Sequence, residues 1–320
     1  MSTPTGTPTP LERGVWGILA TPFDADGAVD TASMRRQVEL LAGVGARGVI
    51  ALGVFGEGAR LDADERRLVT EHALAAARDL GIGAGVGLTT LDREETLAQA
   101  RAAVAVAESV AGDDALRPGG LLRALMVQVP SDDPATIAEH MTAVHEASGA
   151  GIIVQDYPRS SGVTVASDVL AAAVAPLPFV VAVKAESTPT PPAVAHLVAG
   201  CGAPVFGGLG GVALIDELAA GAAGAMTGFS FPEGLAATVE AFAAGGVAAA
   251  RATWAPWMPL AVFEQQDGLA LGIRKEILRR RGVLAHATAR PPATPFPAVL
   301  EDLLVGHLAD AEERLATTAQ

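Results

Sequence analysis

Eight short apolar runs recur along this chain, separated by loops carrying Gly or Pro and by alanine-rich amphipathic stretches. The runs fall at residues 15–20, 48–52, 82–86, 121–129, 151–154, 179–183, 204–206 and 222–227. Between them, residues 31–44, 63–80, 93–110, 134–147, 166–174, 191–199 and 212–219 have helical periodicity. Continuous apolar runs of this length are what strands buried on both faces of a parallel sheet look like. Eight such alternations predict an α/β fold, a (β/α)8 TIM barrel, rather than an open doubly wound sheet. The missing Gly-x-Gly-x-x-Gly after the first run also argues against a dinucleotide fold. Past about residue 245 the strands stop, and residues 247–265, 269–281 and 297–316 read as helices. The expected organisation is a flexible Thr/Pro-rich arm over 1–12, a barrel over 13–245 and a C-terminal helical appendage over 246–320.

Chemistry in such barrels sits at the C-terminal ends of the strands. The sixth run, Phe179-Val180-Val181-Ala182-Val183-Lys184-Ala185-Glu186, leads straight into a lysine and a carboxylate. Cores almost never hold an unpaired lysine. Burial disfavours an ammonium, and a neutral amine attacks carbonyls. The plainer reading is a strand-end lysine whose head reaches solvent.

The other strand ends carry Thr21-Pro22-Phe23, Gly53-Val54-Phe55-Gly56-Glu57-Gly58, Gln155-Asp156-Tyr157-Pro158-Arg159-Ser160-Ser161-Gly162 and Gly207-Gly208-Leu209-Gly210-Gly211. Together with Lys184, this set resembles the dihydrodipicolinate synthase / N-acetylneuraminate lyase family of class I aldolases, from about residue 14 to 290. The resemblance implies a barrel with C-terminal helices, a homo-oligomer (tetramer or dimer), and a lysine that forms an imine with a 2-oxo acid such as pyruvate. Lys184 is the matching position.

The departures are as informative. Two hydroxyl residues that the family uses to hold the 2-oxo acid carboxylate are here Val54 and Phe55, and the family's strand-five tyrosine is here Gln155. The arginine expected two places after the proline falls on Ser160, with Arg159 one place early. No tyrosine occurs in Pro130-Ser131-Asp132-Asp133-Pro134, and Tyr157 is the only tyrosine in the chain. Residues two apart on a strand share a face, which places Gln155 and Tyr157 beside Lys184, and Glu186 with it. Lys184, Glu186 and Tyr157 are therefore the expected catalytic residues, with Val54, Phe55, Gln155, Gly208 and Gly210 as substrate contacts. The glycine run is expected to lead into a helix near Val212, whose amides would attract an anion. Ser230 and Glu233 are weaker candidates for the same pocket.

A net charge of −14 makes nucleic acid and anionic membranes poor partners. A single cysteine, Cys201, excludes an internal disulfide and reads as a packing residue. No basic-then-apolar leader and no uninterrupted apolar stretch of about 18 residues appear, so a cytoplasmic location is expected. The six histidines are scattered, His140 and His145 being five apart, which is poor spacing for a shared metal. They are expected at the surface or in caps, and no metal or other cofactor is expected. Lys275 and Arg279-Arg280-Arg281 read as a solvated helix end. The expected function is a Schiff-base lyase, an aldolase or a dehydratase, on a 2-oxo acid or a 2-keto-3-deoxy acid. The alternatives are a non-catalytic binding or regulatory homologue that keeps the lysine, and a sugar-phosphate-binding barrel without imine chemistry.

Overall fold

The computed structural model describes residues 7–318. Eight parallel strands close into a barrel in sequence order, with β1 pairing β8. The first half contains β1 (Gly14–Ile18), α1 (Thr31–Gly43), β2 (Gly48–Ala51), α2 (Ala63–Leu80), β3 (Gly83–Leu88), α3 (Arg93–Ala111), β4 (Leu122–Gln128) and α4 (Pro134–Ser148). Then come β5 (Ile152–Asp156), the single turn α5 (Pro158–Ser161), α6 (Ser167–Val174), β6 (Val180–Ala185), α7 (Thr190–Gly200) and β7 (Val205–Gly207). The chain continues with α8 (Leu214–Ala219), β8 (Gly224–Thr227), α9 (Pro232–Trp254), α10 (Met258–Glu264), α11 (Ala270–Arg280) and α12 (Glu301–Thr318).

The strands read as continuous apolar runs because both faces are covered. Trp16, Ile50, Met126, Ile153, Val181 and Phe206 fill the barrel interior. Their strand neighbours, Val15, Val49, Leu125, Val154 and Val183 among them, face the helices. Each such side chain contributes roughly 1.5–3 kcal/mol on burial. The helix starts are written locally as well. Asp30, Asp62, Asp92 and Asp133 each accept the backbone N–H three residues on, and Asp62 with Glu65 forms a reciprocal capping box. Such caps are worth about 1 kcal/mol each.

The N-terminal segment is less free than its composition suggests. Leu11 is buried beneath the barrel interior, and its N–H donates to the Val181 carbonyl. Residues 1–6 of the expected arm lie outside the described residues. The eighth barrel helix is the first half of α9, which alanine and glycine on every face hid from a periodicity argument. The expected boundary at 245/246 falls inside α9, where Gly246 leaves helical geometry (φ 66°, ψ −158°). By length and hydropathy alone, Pro232–Glu264 matches a membrane span. In the fold its first part packs on β1 and β8.

The C-terminal helices do more than pack on the barrel. Lys275 of α11 is fully buried, not solvated as expected, and donates to the carboxylate of Glu57 and to the Thr288 carbonyl (2.7 Å). Glu57 is itself buried in a left-handed conformation (φ 56°) and its other oxygen accepts the Arg290 N–H at 2.8 Å. The turn that follows β2 is thus clasped by the appendage. The arginines that end α11 are structural: Arg279 and Arg280 pair with Glu276, and Arg281 with Glu233.

Candidate active site

Lys184 lies on β6 directly between Gln155 of β5 and Phe206 of β7. It is 5% exposed, so its head does not reach solvent. Instead Nζ stands 2.9 Å from Oε2 of Glu186. Glu186 lies one residue past the strand, but its N–H donates to the Asp156 carbonyl at 2.8 Å and prolongs the ladder. That extension keeps residues 184 and 186 on one face, as the period of two requires. The Glu186 carboxylate also accepts Gln155 Nε2 at 2.8 Å and the Leu209 N–H at 3.4 Å. A buried ion pair needs such extra hydrogen bonds to offset the cost of desolvation. The Gln155 amide is therefore engaged in holding the lysine's carboxylate.

The glycine run after β7 serves protein side chains. A Cβ on Gly208 would collide with Glu186, one on Gly207 with Glu217, and one on Gly210 with Arg274 and Gln265. The Leu209 amide points at a carboxylate, but that carboxylate is Glu186. Gly210 (φ 69°) donates its N–H to Thr227 Oγ1 at 2.8 Å. The expected helix begins only at Leu214 and spans six residues.

Above Lys184 opens a cavity of about 340 Å³. Of the residues expected there, Val54, Phe55, Gln155, Tyr157, Lys184, Glu186 and Gly210 line it. Gly208 is not among the lining residues; it is the notch that receives Glu186. Ser230 is buried and donates its N–H to Glu264, while Glu233 holds Arg281, so neither faces the cavity. Arg159 is half exposed and pairs with Asp267. Tyr157 lies one residue past β5, ahead of α5, and still turns into the cavity; burial pushes its phenol above the usual range, and Glu186 adds to this.

Sequence reasoning missed the cavity's other wall. Gln265, Ala270, Leu271 and Arg274 come from the C-terminal helices, and Thr227 from the end of β8. The signal available was Arg274-Lys275-Glu276, three charged residues in mid-helix, which an amphipathic helix cannot all keep in solvent. Two further carboxylates lie behind the strands. Asp156 is fully buried without a hydrogen-bond partner for either oxygen, and burial pushes it up to about 6, with Glu186 adding to the shift. Glu217 accepts Thr190 Oγ1 at 2.6 Å through one oxygen only, and burial pushes it up to about 7. Of the three carboxyl groups, Glu186 is the one that contacts Lys184.

Histidine placement differs from expectation at one position. His140 is buried, with Nε2 unpartnered and its pKa lowered by burial; His145 stacks on Phe179 at 4.3 Å. Among the described residues no group of three His, Cys, Asp or Glu is placed to hold a metal. Cys201 is buried at the end of α7.

The family model described as the dihydrodipicolinate synthetase family matches residues 12–111. The L-2-keto-3-deoxyarabonate dehydratase of Azospirillum brasilense is 30% identical over 301 residues, covering 90% of this chain and 91% of that enzyme. The chain belongs to the dihydrodipicolinate synthetase family. The 4-hydroxy-tetrahydrodipicolinate synthase of Methanothrix thermoacetophila is 30% identical over 159 residues, about half of each chain (50% and 49%). The dihydrodipicolinate synthase structure from Rhodopseudomonas palustris superposes with a TM-score of 0.83 at 26% identity, covering 94% of this chain and 98% of that one. In this chain Lys184 of β6 shares its cavity with Gln155, Glu186 and Arg274.

Proposed function

We propose that this chain is a Schiff-base lyase that dehydrates a 2-keto-3-deoxy sugar acid. The observation that carries the reading is Lys184, buried at the catalytic end of the barrel, open to a cavity and paired with Glu186 at 2.9 Å. Glu186 would take a proton as the Lys184 amine attacks C2 of the 2-oxo acid, and water would leave C2 to give the imine. The imine acidifies C3. Removing a C3 proton makes an enamine, whose electrons expel the C4 hydroxyl as water once a proton is delivered to it. Glu186, within reach of the lysine, would carry that proton from C3 to the leaving oxygen, and addition of water at C2 of the resulting unsaturated imine would expel the Lys184 amine and free the product. Tyr157 lines the same cavity and is the second candidate for the transfer.

Similarity to the Azospirillum dehydratase over nine-tenths of the chain supports elimination ahead of carbon–carbon cleavage. An aldolase acting through the same imine is the second reading, supported by the synthase relatives. The test is incubation with pyruvate and borohydride followed by peptide mapping. The expected adduct is on Lys184. An adduct on Lys275, the chain's other lysine, or no adduct at all would overturn the imine reading. With an adduct in hand, release of water without release of pyruvate from 2-keto-3-deoxy acids separates dehydratase from aldolase.

A further inference from the structure

A 2-oxo acid brings its own carboxylate into the cavity, and that carboxylate needs donors once water is excluded. Val54 and Phe55 carry no side-chain donor, and the Gln155 amide nitrogen is given to Glu186. Lys184 is balanced by Glu186. Arg60 is about a third exposed, donates to the Arg290 carbonyl at 3.2 Å and lies 3.6 Å from Glu57. The remaining cation on the cavity wall is Arg274, contributed by α11.

Arg274 is built for a second partner. It is 5% exposed, and its guanidinium carbon stands 5.1 Å from the centre of the Phe55 ring, which braces it. Its Nη2 donates to Gln265 Oε1 and packs where Gly210 has no Cβ. Its Nε lies 3.3 Å from Glu264 Oε2 without a hydrogen bond, and Glu264 Oε1 has no partner either. Burial pushes Glu264 up to about 7, so this counterion is incomplete near neutral pH. Among the described residues Nη2 spends one of its two hydrogens on Gln265 and Nη1 spends none, so one N–H from each can meet an incoming carboxylate. Arg274, Tyr157, Lys184 and Glu186 all line the same cavity.

We propose that Arg274, braced by Phe55 and seated against Gly210, binds the carboxylate of the 2-oxo acid that reacts with Lys184. This rests on the 2-oxo acid reading above. A guanidinium meets a carboxylate through two parallel N–H donors, which fixes orientation as well as affinity. The apolar turn at Val54–Phe55 then acts as the wall that holds the guanidinium, and the C-terminal helices supply specificity to a lysine that the barrel supplies.

The test compares pyruvate with hydroxyacetone, a neutral ketone of similar size, in wild type, R274Q and R274K. Borohydride trapping and calorimetric binding are measured for each. R274Q is expected to raise the half-saturating pyruvate concentration at least tenfold and to change that for hydroxyacetone less than threefold. R274K, which keeps the charge beside Glu264, is expected to fall between, and it serves if R274Q does not fold. Equal changes for both ketones, or an unchanged pyruvate response, would overturn the proposal while leaving the imine intact. Pyruvate that binds without trapping, and loses binding in R274Q, supports Arg274 and sinks the imine. A wild type that does not bind pyruvate overturns both.

Discussion

Replacing Glu217 by Gln should stabilise the protein at alkaline pH and do little in acid. Glu217 sits behind β7 against Gly207, with one oxygen bonded to Thr190 and the other unpartnered. Burial is the largest cause that pushes it from 4.5 up to about 7. A carboxyl whose folded pKa is raised contributes stability that is full below the unfolded pKa and lost as pH rises through the folded one. The window is therefore between about 4.5 and about 7. Taking roughly 1.36 kcal/mol per unit, the loss between pH 5 and pH 8 comes to about 2.5 kcal/mol. Gln has the same shape, keeps the oxygen that accepts from Thr190 and never ionises. Asp156 and Glu264 also have raised pKa values, but their contributions are common to both proteins and cancel in the difference. Urea denaturation of wild type and E217Q at pH 5 and pH 8 measures this directly. The gap should move by about 2.5 kcal/mol in favour of E217Q at the higher pH. Parallel pH profiles would refute the claim that Glu217 is held as a neutral acid.

Three further outcomes follow from the same geometry. K275M removes the buried cation of Glu57, leaving that buried carboxylate only the more exposed Arg60 at 3.6 Å, and should cost about 3–5 kcal/mol by chemical denaturation. An effect below about 1 kcal/mol would mean the clasp is not structural. In single-turnover kinetics on a substrate that traps, E186Q should lose at least a hundredfold, about the scale of one proton-transfer group, and Y157F far less. The opposite ranking would assign the proton transfer to Tyr157. Light scattering at micromolar concentration should report a dimer or tetramer, as the family resemblance implies, and a clean monomer would contradict it.

The barrel was legible in the sequence because its signal is local and repeated. Each strand is buried on both faces, so each is a continuous apolar run; each early helix opens on an aspartate cap. The burial of Lys184 was legible for a related reason: it stands within such a run, beside a carboxylate that can balance it. The period of two carried Glu186 to the right face because one backbone hydrogen bond, Glu186 N–H to Asp156, prolongs the strand past Ala185. What the sequence could not decide was which distant groups meet there. The glycine run invited an anion, but its amide faces Glu186, a residue 23 positions away. Lys275 read as a solvated helix end, yet it pairs with Glu57 across 218 residues. Arg274 entered the cavity only because α11 folds back over the mouth of the barrel. Local periodicity reports which face of an element is buried, whereas the partner it is buried against is set by chain closure, and only the tertiary structure contains that.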